Sequence, residues 1–196
     1  MSGRLRFGVH RALMAGAGLL AAAPAWAAAH PRLAPTRDVA VVYHVQPASA
    51  AAPKEPDLRI VMTAGAAELR MDTPGQKGFL STDRVHHVTL IVDDADHSYV
   101  HIPGDGPLAP SYLLKPAMRF TRERTDRVAG LPCTVWGVAP GAPGAAACVT
   151  ADGVILRADG GQGRGKLTAV SVIYARQPSV LFRPPPGYKD NTAPAP

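Results

Sequence analysis

The sequence predicts a single, mainly β domain. Apolar and polar residues alternate in run after run. Short turns rich in Gly, Pro and Asp separate the runs. No stretch beyond the N-terminus carries strong helical periodicity.

The alternation starts with Val39, Val41, Tyr43 and Val45, and continues through Leu58, Ile60 and Met62. Ala67, Leu69 and Met71 form the next set, and Gly65-Ala66 suits a two-residue hairpin turn between the two. In that register Met62 faces Leu69 and Ile60 faces Met71, and a one-residue slip would turn the apolar faces apart. Val85 to Val92 and His97 to Ile102 flank the acidic turn Asp93-Asp94-Ala95-Asp96. Arg119 to Asp126 is a polar strand candidate. Leu131 to Val138 and Ala145 to Ala151 flank a Pro-Gly-Ala-Pro-Gly loop. Asp152-Gly153 reads as a type I′ turn into Val154 to Ala158, and Lys166 to Arg176 is a long last strand rich in β-branched residues. The one modest helix candidate, Pro110 to Met118, has a proline at its start and another close to its end.

Cys133 and Cys148 fit this layout. An even cysteine count in an oxidising compartment reads as a disulfide. Set opposite one another in an antiparallel pair they lie within bonding reach, with a loop of Ala139 to Ala142 and with Trp136 on the opposite face.

The N-terminus supplies the compartment. Arg4, Arg6 and Arg11 precede an apolar run, Ala12 to Ala23, and then the small-x-small site Ala25-Trp26-Ala27. These are the parts of a cleavable export signal over residues 1–27, and the run is too short for a stable membrane anchor. Cleavage after Ala29 instead would leave His30 first, where an amine and imidazole could hold copper; the proline that follows argues against that. Residues 28–35 then read as a flexible leader, 36–189 as the domain, and 190–196 as a disordered tail. Removing the signal lowers the charge from 21 basic against 15 acidic residues to 18 against 15. The remaining charges are mixed in sign along the chain, which gives nucleic-acid binding no support. No second apolar stretch is long enough to span a bilayer, so the exported chain is expected in the periplasm or secreted.

Catalytic chemistry finds little footing. There is no G-x-S-x-G, and the glycine-rich run Gly160 to Gly165 joins two strands and opens no helix. His86, His87, His97 and His101 surround the acidic turn, and a two-residue turn at Asp94-Ala95 would set Val88 opposite His101 and Val92 opposite His97. His86, His97 and His101 would then share a face and could ligate a transition metal. The spacing matches no named metal motif, so an exposed polar face beside a solvated turn is the better reading and no metal site is expected. No enzyme activity and no cofactor is expected.

Three motifs carry a resemblance: Phe120-Thr-Arg-Glu-Arg-Thr-Asp-Arg-Val-Ala-Gly-Leu-Pro-Cys-Thr-Val-Trp, Met71-Asp72-Thr73-Pro74-Gly75, and Leu181-Phe182-Arg183-Pro184-Pro185-Pro186-Gly187-Tyr188. With them the chain resembles an uncharacterised family of exported bacterial proteins similar to the LolA/LolB-like periplasmic lipoprotein carriers. The resemblance implies an open, incomplete antiparallel β-barrel or strongly curved sheet, with at most short helices. It also implies an apolar concave surface that holds acyl chains. If that holds here, the lining is Val41, Tyr43, Ile60, Met62, Leu69, Met71, Leu90 and Val92. The partner would be an apolar small molecule, a lipid or a lipoprotein. The competing expectation is a non-catalytic structural or interaction protein of the envelope, whose apolar face is only its core.

Overall fold

In a computed structural model, residues 30–49, 57–73, 75–104, 114–162 and 164–192 are described. The export signal, residues 50–56 and residues 110–113, the first part of the Pro110 to Met118 helix candidate, lie outside them. Among the described residues twelve strands form one sheet: β1 Val39–Gln46, β2 Leu58–Met62, β3 Glu68–Asp72, β4 Gly78–Asp83, β5 Val88–Asp93, β6 Ser98–Pro103, β7 Arg119–Val128, β8 Leu131–Ala139, β9 Ala146–Val149, β10 Ile155–Asp159, β11 Lys166–Tyr174 and β12 Lys189–Asp190. The order is β12-β6-β5-β4-β3-β2-β1-β11-β10-β9-β8-β7, so the sheet is not closed. It curls far enough for β1–β3 to share one core with residues of β7 to β11. The only helical pieces among the described residues are 3-10 turns at Ala64–Ala66 and Ser179–Phe182. This is the open curved sheet the resemblance implied.

The β2–β3 register holds as expected, Met62 on Leu69 and Ile60 on Met71. The connection is longer than two residues: Ala66 donates its N–H to the Thr63 carbonyl, and Thr63 Oγ1 accepts from the Glu68 N–H at 2.9 Å. Strand β4 went unseen in the sequence, because Gly78-Phe79-Leu80-Ser81-Thr82 does not alternate cleanly. It begins on a glycine for a steric reason: a Cβ there would sit 2.0 Å from the Val92 carbonyl oxygen.

Val85 therefore lies in a turn, 66% exposed, and not in a strand. The two turns flanking β5 are built alike. Asp83 accepts the N–H groups of Val85 and His86, Asp93 those of Ala95 and Asp96, and each turn ends on a left-handed histidine, His87 or His97. Each loop spans four residues. Val92 consequently faces Tyr99 and Leu90 faces His101, a two-residue shift from the expected register that leaves the faces unchanged.

The type I′ turn also sits elsewhere. Ala129 and Gly130, both at positive φ, join Val128 to Leu131. At Asp152-Gly153 only the glycine is left-handed. Gly153 N–H bonds Thr150 O and Thr150 N–H bonds Val154 O, which makes a three-residue loop.

Both ends of the described chain are tied down. In the expected flexible leader, Pro31 and Pro35 are buried, the Pro35 carbonyl accepts from Gly65, and Ala34 passes so close to Gly153 that a Cβ would meet its oxygen at 2.1 Å. The expected tail begins as strand: Lys189–Asp190 pairs parallel with β6, and the His101 N–H donates to Thr192 Oγ1 at 2.9 Å. Residues 193–196 lie outside the described chain.

Candidate functional site

The eight positions expected to line one surface do not share a face. Cross-strand partners do share one, and pairing links Val41 to Ile60, Ile60 to Met71, Met71 to Leu80, Leu80 to Ile91 and Ile91 to Val100. Leu90 and Val92 pair instead with Ser81 and Phe79, on the other side. The parity was hidden because Val88-Thr89-Leu90-Ile91-Val92 presents apolar groups to both sides. Leu90, Val92 and Phe79 form their own cluster, packed with Tyr99 and Tyr188.

The other six positions lie in the main core with Val135, Cys148 and Leu156. All eight are between 0% and 8% exposed. Tyr43 donates its hydroxyl to the Ile155 carbonyl at 2.7 Å, and burial pushes its pKa well up. Beyond β3 the same inner face runs on as half-buried Leu80, Ile91, Val100 and Ile102, flanking buried Thr82 and Thr89.

The closing Leu181 to Tyr188 motif crosses the outer face as a strap. Its 3-10 turn packs against β3 with Phe182 buried. Arg70 donates to the Leu181 carbonyl at 2.7 Å and lies over the Phe79 ring. Arg183 reaches Glu68 Oε1 at 2.9 Å as an ion pair, and that buried oxygen accepts no hydrogen bond among the described residues. Tyr188 donates its hydroxyl to Asp94 at 2.9 Å, and that bond raises its pKa.

The disulfide joins the adjacent strands β8 and β9, as expected, with Cα atoms 5.5 Å apart. The bridge is diagonal, because Cys148 pairs with Val135 and Asp126 stands opposite Cys133. Both cysteines belong to the main core. Trp136 is on the opposite face as expected, clustered with Ala147 and Val149. The histidines do not converge: His86 and His97 lie at opposite ends of β5, separated by six strand residues, about 20 Å. His86 bonds Asp83 at 2.8 Å, and that bond leads in holding the Asp83 carboxyl below its ordinary pKa. Among the described residues no three metal-ligating side chains gather.

One cleft was not expected. It encloses about 710 Å³ between the N-terminal segment and β7–β9. The Phe120 to Trp136 motif supplies much of its wall, with Arg122, Thr125, Leu131, Pro132, Thr134 and Trp136. The motif was visible in the sequence; that its two strands, a disulfide and the leader would enclose a space was not. At the rim the Arg37 guanidinium lies 3.7 Å from the Tyr174 ring centroid and bonds Asp152 at 3.3 Å. Burial pushes the Asp152 carboxyl up, but hydrogen bonds from Thr150, Tyr174 and Arg37 outweigh it and hold its pKa below the ordinary value.

No family model and no curated protein sequence matches the chain. Solved structures do. An uncharacterised conserved protein from Thermus thermophilus superposes with a TM-score of 0.53 at 14% identity, over 81% of this chain and 91% of that one. MucB superposes with a TM-score of 0.50 at 16% identity, over 75% of this chain and 57% of the other, so the chain spans little more than half of MucB. The complex of Pseudomonas aeruginosa MucA and MucB follows at 0.46 and 14%, over 72% and 53%. At these identities the likeness is one of fold.

Proposed function

We propose that the chain is an exported, non-catalytic interaction module of the bacterial envelope that engages a protein partner through surfaces outside its packed interior. One observation carries this reading. The inner face of β1–β3, where an acyl-chain groove was expected, is closed core, with Val41, Tyr43, Ile60, Met62, Leu69 and Met71 packed against residues from the far end of the sheet. A filled interior leaves recognition to the surface. Export rests on the basic, apolar and small-residue order of residues 1–27 and on the core disulfide.

A second reading, carriage of a lipid-like ligand, is favoured by half-buried Leu80, Ile91, Val100 and Ile102, which continue the inner face without joining a core cluster. Cross-linking in the intact envelope with a short bifunctional reagent, followed by purification and mass spectrometry of protein and extracted lipid, separates the two. A discrete protein adduct without stoichiometric lipid is expected. Stoichiometric lipid with no protein adduct would replace the first reading by the second.

A further inference from the structure

Two features outside the packed interior meet at one place. Strand β7 ends the sheet, so its outer backbone edge has no strand partner among the described residues. An exposed edge invites another strand. The cleft beside it is lined by Arg122 and Thr125 of β7 itself.

The charges select the partner. Among the ionised lining residues of the cleft, Arg32, Arg37 and Arg122 stand against Asp152 alone, and Asp152 is already engaged by Arg37, Thr150 and Tyr174. Along β7 the carboxylates are likewise engaged, Glu123 by Arg124 and Asp126 by Arg157. Arg119, Arg122 and Arg32 are exposed, and their side chains make no ion pair or hydrogen bond among the described residues. An arginine-rich edge repels a second copy of itself and attracts an acidic strand. The apolar wall, Leu131, Pro132 and the buried Trp136, offers a seat for one large apolar side chain. A small amphipathic anion would use the cleft and leave the free backbone edge unused; an extended peptide uses both.

We propose that the β7 edge and this cleft form a docking site for an extended acidic segment of a protein partner, with carboxylates at Arg122 and Arg32 and one apolar side chain against Leu131 and Trp136. This rests on the reading of the chain as a protein-interaction module.

The test is fluorescence anisotropy at low salt with a labelled peptide alternating glutamate and valine around one phenylalanine. The full chain carries Trp26→Phe, so that Trp136 alone reports by intrinsic emission. Binding with a shift in Trp136 emission is expected. Arg122→Glu, on an exposed side chain, should weaken it by about tenfold or more, the scale of a lost charge-assisted contact, with circular dichroism unchanged. A lysine-for-glutamate peptide should not bind. Equal binding of both peptides, or of wild type and Arg122→Glu, overturns the site. So does saturable binding of oleate at the cleft with no binding of the acidic peptide. In the envelope, a photo-crosslinking residue at Thr125 should give a protein adduct and one at distant Val85 should not. Adducts at Val85 alone overturn the site and leave the interaction reading intact; adducts at neither position overturn both.

Discussion

Asp38 shows how one carboxylate joins three parts of the chain. It stands just before β1, and its two oxygens accept the N–H of Ala64, in the β2–β3 connection, and of Gln177, between β11 and the strap, each at 2.8 Å. The Gln177 bond leads, with that of Ala64, in holding the Asp38 pKa below its ordinary value. A depressed folded-state pKa stabilises the fold above the unfolded pKa and loses that contribution as pH falls through the folded one. Melting temperature should therefore fall as pH drops below about 4, and Asp38→Asn, which keeps an acceptor but cannot titrate, should show a shallower fall. An identical acid profile in the variant would show that Asp38 is not a main contributor. Phe182 carries the strap's apolar attachment at 2% exposure. Phe182→Ala should destabilise the chain by about 3 kcal/mol, the lower end for a buried phenylalanine, measured by urea unfolding. A change within error would mean that the strap rests on its polar contacts to Glu68, Arg70 and Asp94.

At the scale of elements, the hairpins show what a turn sequence can specify. Asp83 and Asp93 each cap a four-residue turn with a left-handed histidine four positions on, and this repeated Asp-x-x-x-His spacing is readable once known. It explains the acidic and imidazole groups as turn chemistry, without a metal. Ala129-Gly130 made the tight turn that Asp152-Gly153 was expected to make, because the leader's approach to Gly153 and the Thr150 bonds favour a wider loop there. The disulfide ties the β8–β9 hairpin whose strand β8 walls the cleft. Replacing Cys133 or Cys148 by serine should cost about 2–5 kcal/mol, the usual range for a native disulfide in a small exported domain. Equal melting with and without a reductant strong enough to open the bond would count against that.

Over the whole molecule, curling decides what the apolar residues do. A flat sheet would leave the inner face of β1–β3 open as a groove; this one brings residues of β7 to β11 across it. Ile60→Asp and Leu69→Asp should each bury an unpaired carboxylate and unfold the chain, read as loss of the cooperative melting transition. Folded variants that had merely lost uptake of a fluorescent fatty acid would return the inner face to ligand carriage. The two sheet edges differ in kind as well: the β6 edge is partly covered by the short parallel strand β12, whereas β7 is long, exposed and rich in arginine.

The sequence by itself determined the β class, the positions of most strands, the β2–β3 register and the pairing of the two cysteines. Each follows from short-range alternation, turn residues or an even thiol count, which act within a few neighbouring residues. It did not determine which side Leu90 and Val92 would take. Val88 to Val92 is apolar to both sides, so only the intervening strand β4 and the strap that buries one side set their face. Nor did it show that the inner apolar face would be filled, or that the leader would order against Gly153 and help shape a cleft. Those outcomes depend on strands far apart in sequence meeting as the sheet curls, and long-range contact leaves no local pattern to read.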